Sequence, residues 1–410
     1  MTIDSSKHSN NFEVDWGSIQ PGRVQRFERA VDTQGVADRL DRLAAVAVTG
    51  LGRMYERERR SFPQTVRGFR SDTGPDIRPE GDSLRYAAIA ALGIGLLPIA
   101  QQRQILNGDD ARGLTALVIE RALRVEDLGA VALAAWAAAE VGHHFAEDLF
   151  LHIDRRISSS HPIDVVECSW ALTAAVSASR LAKLDDLTRK IERRLSAAQG
   201  PGGLFPHVLS PLPQKGVRSH VGCFADQVYP IQALARLHLL TGNPAALERA
   251  DACAERIVAL QGKQGQWWWH YDARSDAVVE RFPVYSVHQH AMAPMALLDL
   301  AEAGGANHSA AIARGLGWID NHPEALADLV SERLGVIWRK VGRREPRKLA
   351  RGLAATLTSR RPGSTLPLLD RLLPPGPIDY ECRPYELGWL LYAWSGTGAL
   401  SAISGADSRA

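Results

Sequence analysis

With 48 basic and 46 acidic side chains among 410 residues, the chain carries a formal net charge of only +2. That balance argues against nucleic acid or another polyanion as a partner of the molecule as a whole. Four cysteines (Cys168, Cys223, Cys253 and Cys382) with no CxxC pair are too few for a disulfide scaffold in a chain this long.

The N-terminus, MTIDSSKHSNNFEVDWGS, has no basic stretch leading into an apolar one, so no secretory signal is visible. Residues 1–25 are polar and expected to be flexible, and 26–410 are expected to form one domain. The longest apolar stretch, Tyr86 to Ala100, is short for a membrane span and contains Gly93, Gly95 and Pro98. A cytoplasmic protein with reduced thiols is the expectation.

From there Ala, Leu and Arg recur at helical spacing, and period-two runs of β-branched residues are scarce, which predicts an all-α class. One kind of segment recurs six times: a polar or aromatic cluster running into a small, apolar helix. These segments begin at Asp82, Glu126, Val165, Cys223, Val284 and Glu381. Between most of them lies a charged amphipathic helix, as at Asp185 and Ala245. A helix apolar all round must be buried, and one with a charged face lies outside. The alternation predicts an (α/α)6-like toroid of helical hairpins, with Arg39 to Ser61 as the outer helix that closes the ring. All inner helices then start at one pole, where their dipoles favour negative charge.

Two turns follow outer helices: Gln199 to Phe205 reads QxxxGxF, and Gln261 to Trp267 reads QxxxGxW. They resemble the QW repeat of squalene and terpene cyclases and protein prenyltransferases, in which the Gln ties neighbouring hairpins together. The same turns also resemble the helix–GGW–loop–helix pattern of glycan-active six-hairpin toroids: glucuronyl C5-epimerases, unsaturated uronyl hydrolases and some polysaccharide lyases. The cyclase acid motif DxDD is absent, as is DDxxD.

The inner-helix starts supply the candidate site. Asp226, Glu381, His288, Tyr229 and Tyr385 are the candidate catalytic residues: Asp226 or Glu381 as acid or base, His288 and Tyr385 assisting proton transfer. Arg383, Gln227, Gln289, Trp268, Trp269, Arg85 and Tyr86 are the candidate substrate-binding residues, Arg383 for a carboxylate and the tryptophans for a sugar face. His288 and His290 diverge by about 200° on a helix, so one of them is expected to be a packing residue. No metal or other cofactor is expected. A zinc at Cys168, Cys223 and Cys382 is the alternative, on the resemblance to lanthionine-cyclase-like toroids and prenyltransferases.

A basic segment at 323–378 is expected to be a helical insert divided by Pro346. Its arginines and lysines over 333–361, interleaved with Trp338 and leucines, suggest an anionic membrane surface or a lid. The leading reading is a carbohydrate-active enzyme working by general acid/base chemistry on a glycan or lipid-linked glycan, as hydrolase, lyase or epimerase, in polysaccharide biosynthesis. The alternatives are a terpene-cyclase-like or prenyl-diphosphate-binding enzyme, and a non-catalytic scaffold docking partners at a membrane.

Overall fold

The computed structural model describes residues 22–31, 35–72, 74–210, 216–346, 348–366 and 368–399. Six inner helices form a ring: Leu84–Ile94, Leu128–Glu140, Val165–Ala178, Ala225–Thr241, Ala293–Glu302 and Pro384–Trp394. Each packs on the next, and the last returns to the first. The fifth opens with a π turn at His288–Met292. Leu128–Glu140 shows why these helices lie inside: from Leu128 through Ala139 every residue is buried, as the apolar sequence requires. Six outer helices alternate with them: Val36–Met54, Ala111–Ala122, Glu147–Ser158, Asp185–Ser196, Pro244–Ala259 and Ser309–Asp320. Val36–Met54 packs against Pro384–Trp394 and is the closing outer helix. The protein is an all-α toroid of helical hairpins.

The ring closes through glycine. A Cβ on Gly93 would lie 2.1 Å from the carbonyl oxygen of Gly388 and 3.1 Å from its Cα, so the first and last inner helices cross backbone to backbone. Gly93→Ala is expected to cost about 3 kcal/mol, because backbone cannot yield as a side chain can. Urea unfolding measures this, and a loss under about 1 kcal/mol would show that the seam relaxes.

The two QW-type turns are built alike. Gln199 Nε2 donates to Gly203 O (2.8 Å) and to Arg249 O on the next outer helix (2.9 Å). Gln261 Nε2 does the same to Gly265 O (3.0 Å) and Ala311 O (2.9 Å). Gly203 and Gly265 have φ of 100° and 97°, a region that favours glycine. A Cβ on Gly265 would stand 2.0 Å from Arg314 O.

Short strands surround the pole where the inner helices begin. Ile163–Asp164, Val221–Cys223, Val284–Tyr285 and Glu381–Cys382 each run directly towards an inner helix and pair with a strand from elsewhere. They are too short to leave a period-two pattern in the sequence.

Two expectations need correction. Residues 22–25 belong to the ordered fold: they begin the helix Gly22–Val31, held by buried Arg23, which pairs with Asp299 and with Glu302 at 2.7 Å. Residues 1–21 lie outside the described ones. The segment before Pro346 is not helical. It forms the strands Val330–Ser331, Val336–Ile337 and Lys340–Arg343, because Val336, Ile337 and Val341 are β-branched and fully buried. Only Leu349–Arg360 and the short Leu369–Leu372 are helical there. Several basic residues of the run are also consumed internally. Arg343, 2% exposed, pairs with Glu280 at 2.8 Å, and Lys340 pairs with Asp379 at 2.6 Å. No helix among the described residues is long and apolar enough to cross a membrane.

The opposite end of the bore is plugged. Asp299 accepts from Arg236 Nε (2.7 Å), Gln232 Nε2 (3.1 Å) and Arg23. Arg236 Nη1 reaches Glu140 Oε1 (3.0 Å), which also accepts from Ser177 Oγ (2.6 Å). Tyr392 donates to Glu140 Oε2 at 2.7 Å. The network draws on five of the six inner helices.

Candidate functional site

Asp226 stands in the first turn of the fourth inner helix and is completely buried. The strand Val221–Cys223 brings the Cys223 N–H to its Oδ2 (2.6 Å), and the loop before Val208–Leu209 brings His207 Nδ1 to 3.1 Å from Oδ1. The Asp226 carboxylate holds the His207 imidazole up at a pKa of about 9, so the ring is a cation at neutral pH. Its side chain is 53% exposed, leaving the ring open to solvent. Cys223 pairs in register with His270, which sets Trp269 and His270 beside this pair. These residues line a cavity of about 620 Å³, together with Val208, Arg218 and Arg351.

The wall continues through aromatic contacts. Trp269 packs on Tyr285 in a tilted arrangement with ring centroids 4.6 Å apart, and the Arg339 guanidinium lies 4.8 Å from the centroid of the same Tyr285 ring. Arg383 Nη1 donates to the Tyr86 hydroxyl (2.9 Å), and Tyr86 packs on Tyr385 at 4.7 Å. Glu386 is fully buried beneath, 3.3 Å from Arg339 Nε. Burial pushes its carboxyl up to about 7 against the pull of Arg339.

The structure therefore separates the expected site residues into groups. Asp226 and Trp269 line the cavity. Glu381, Arg383, Tyr86 and Tyr385 gather around Arg339 and Glu386, with Glu381 tied to Arg67 at 2.7 Å. Arg85 bridges the second and third inner helices, with Nε on Asp127 Oδ2 (2.8 Å) and a terminal nitrogen on Glu167.

Other expected residues are turned to structural work. Gln227 accepts from the Phe205 N–H (2.8 Å) and donates to Phe205 O and Cys223 O. Gln289 accepts from the Trp267 N–H (3.3 Å) and donates to Tyr285 O. Both amides thus anchor the QW-type turns, and neither is free for a sugar. Tyr229 is buried with its hydroxyl accepting from Trp389 Nε1 (2.8 Å). Trp268 lies under Arg281, at 5.5 Å, and against Phe282, outside the cavity lining. His288 packs between Phe224 and Tyr285, and burial depresses it to about 3, so it is neutral and poorly suited to relay protons. His290 is equally buried, so both histidines pack, not one.

Cys168 is buried with Sγ directed to Ile191 O (3.9 Å), and Cys168, Cys223 and Cys382 do not assemble as a metal group among the described residues. A different set, His207, Cys223 and Asp226, has ligand atoms within 4.8 Å of one another. Those groups already bond one another, and Arg218 and Arg351 share their wall and oppose a cation.

His207 lies in a loop with no motif around it, and Arg339 and Arg351 fall in the basic run over 333–361. Nothing in the local sequence marks Arg218, Arg339 or Arg351 as neighbours of the pole, because each arrives there by long-range pairing.

The sequence matches no protein-family model and no curated protein. Among solved structures the chain is similar to an unsaturated glucuronyl hydrolase specific for heparin. The TM-score is 0.54 at 12% identity, over 90% of this chain and 98% of that one. It is likewise similar to the unsaturated glucuronyl hydrolase of Bacillus sp. GL1 (TM-score 0.52, 14% identity, 89% and 95% covered). A third likeness is to that of Streptococcus agalactiae (TM-score 0.52, 7% identity, 92% and 96% covered). At these identities the likeness establishes the fold: a six-hairpin α/α toroid.

Proposed function

We propose that this toroid is a glycan-acting enzyme using general acid/base chemistry at the inner-helix pole, with hydrolase, lyase and epimerase chemistry open to the same groups. The observation that carries the reading is the His207–Asp226 pair on the wall of a cavity that also presents Trp269. An imidazolium held by a buried carboxylate is a positioned proton donor. His207 would give its proton to the leaving glycosidic oxygen as its C–O bond breaks. The neutral imidazole would then take a proton from the water that adds to the sugar carbon, or, in a lyase, from the neighbouring carbon as the double bond forms. Asp226 holds the ring and stabilises its charge through Nδ1, and the Trp269 indole offers a face to a pyranose. The plugged far end of the bore makes this pole the mouth, and the likeness to glucuronyl hydrolases favours a saccharide over a prenyl diphosphate. Exposed Leu349 and Leu353 with Lys348 and Arg360 form a small outer face. It would suit a lipid-linked glycan at an anionic membrane surface, consistent with a cytoplasmic role in polysaccharide assembly.

The test is turnover of an oligosaccharide panel followed by mass spectrometry. Asp226→Asn is expected to lower kcat by about 10²–10⁴ with the melting temperature held near wild type. Activity should fall as pH rises through about 9, where His207 loses its proton. Unchanged kcat in a folded Asp226→Asn protein would remove the pair from the chemistry.

A further inference from the structure

We propose that the glycan carries an anionic group, a carboxylate or a sulfate ester, and that Arg218 and Arg351 receive it. The inference rests on the carbohydrate reading and narrows its substrate class. Arg218 leads into the strand Val221–Cys223, and Arg351 stands in the first turn of Leu349–Arg360, yet both line the cavity that holds Asp226 and Trp269.

What distinguishes this pair is the lack of a counter-charge. Arg343 and Lys340, in the same basic segment, each meet a carboxylate. Among the described residues Arg351 makes no hydrogen bond or ion pair, and Arg218 meets only His270 Nε2, at 3.4 Å. The two guanidiniums are close enough to repel: after burial, the charge of Arg351 is the next influence lowering Arg218. Asp226, the acid of this wall, is taken up by His207 and the Cys223 N–H, so the two like charges have no acid paired with them and are unfavourable together until an anion arrives. Guanidiniums bind carboxylate and sulfate oxygens with charge-assisted hydrogen bonds.

His270 completes the arrangement. Burial, with Arg218 and Arg351 nearby, pushes its pKa well below the usual value, so the ring is neutral. With Nε2 accepting from Arg218, the proton sits on Nδ1, which is buried without a partner and is a further donor. A substrate anchored by its anionic group here would share the cavity with His207 and Asp226. Arg351 thus gives the basic segment a role inside the site.

The experiment is calorimetric titration of the full chain with oligosaccharides from lyase-digested heparin. The same pool is also used after desulfation, after carboxyl reduction and after both. Wild type should bind the untreated pool about tenfold or more tighter than the doubly treated one. Arg218→Gln and Arg351→Gln should each lose most of that preference while binding the neutral pool as wild type does. Loss on desulfation alone identifies the sulfate ester, and loss on carboxyl reduction alone the carboxylate. Asp226→Asn should keep the preference while losing turnover. Equal binding of charged and neutral pools, or a preference that survives both arginine substitutions, overturns this inference and leaves the carbohydrate reading standing. Failure of every pool to bind overturns both.

Discussion

Replacing Asp299 with alanine is expected to destabilise the protein by about 3–5 kcal/mol, more than any substitution at the mouth. Asp299 is completely buried and receives Arg236, Gln232 and Arg23 together. Removing the carboxylate leaves Arg236, itself 1% exposed, with Glu140 alone, and leaves Arg23 with the partly exposed Glu302. The cost is that of uncompensated buried charge rather than of the lost bonds themselves. A control separates the two: the triple variant Asp299→Leu/Arg236→Met/Glu140→Gln removes the buried charges that would otherwise be left unpaired. It should therefore recover a large part of the loss, since buried ion pairs give little net stability over apolar packing. Urea midpoints measure both. An Asp299→Ala loss under about 1 kcal/mol would mean that water or side-chain movement satisfies the arginines. The same substitution should expose the helix Gly22–Val31 to proteolysis, since Arg23 fastens it to the ring.

The second large effect is acid unfolding. His288 and His290 are buried, and their pKa values in the fold are depressed to about 3 from an ordinary 6.5. Between those values the unfolded chain binds two protons that the folded one does not, so stability is full above about 6.5 and is lost as pH falls. Each histidine contributes about 1.4 kcal/mol per pH unit across that window. Glu386 acts with the opposite sign. Its folded value is raised to about 7 from 4.5, so its contribution is lost as pH rises from 4.5 to 7. Where the windows overlap, from about 4.5 to 6.5, the histidines outweigh it and the net slope is about +1.4 kcal/mol per unit. Summed down to pH 3 the loss is about 7 kcal/mol, so a fold at the lower end of the usual range of about 5–15 kcal/mol should fail between about pH 3 and 4. His290 has neither ring nitrogen bonded. His290→Leu should therefore lower the acid midpoint by about half a unit or more, read by circular dichroism across a pH series. An unchanged midpoint would assign acid unfolding to the carboxylates instead.

How much of this was legible beforehand differs by element. The inner helices could be read because burial on every side demands apolar residues on every side, as in Leu128–Glu140. The turns at Gln199 and Gln261 could be read because a positive-φ glycine and a bridging amide leave a spaced signature. Asp226 and Trp269 could be placed at the mouth because they begin or precede an inner helix. Gln227 and Gln289 occupy equivalent positions but point into the turns, since each accepts an N–H from an aromatic residue 22 positions earlier. Periodicity places a residue on an element and does not say which hydrogen bond claims it.

The sequence by itself determined the class, the alternation of inner and outer helices and the pole at which polar groups would gather, because these follow from local burial and helix direction. Only the tertiary structure decided which of those groups face a cavity. Short strands carry Cys223 to His270 and Tyr285 to Lys340, and those pairings depend on contacts remote in the chain. The same remoteness hid the Asp299 network and the Arg218–Arg351 pair. A charge on a helix reads as solvated until its neighbours across the ring are known, and only closing the ring supplies them.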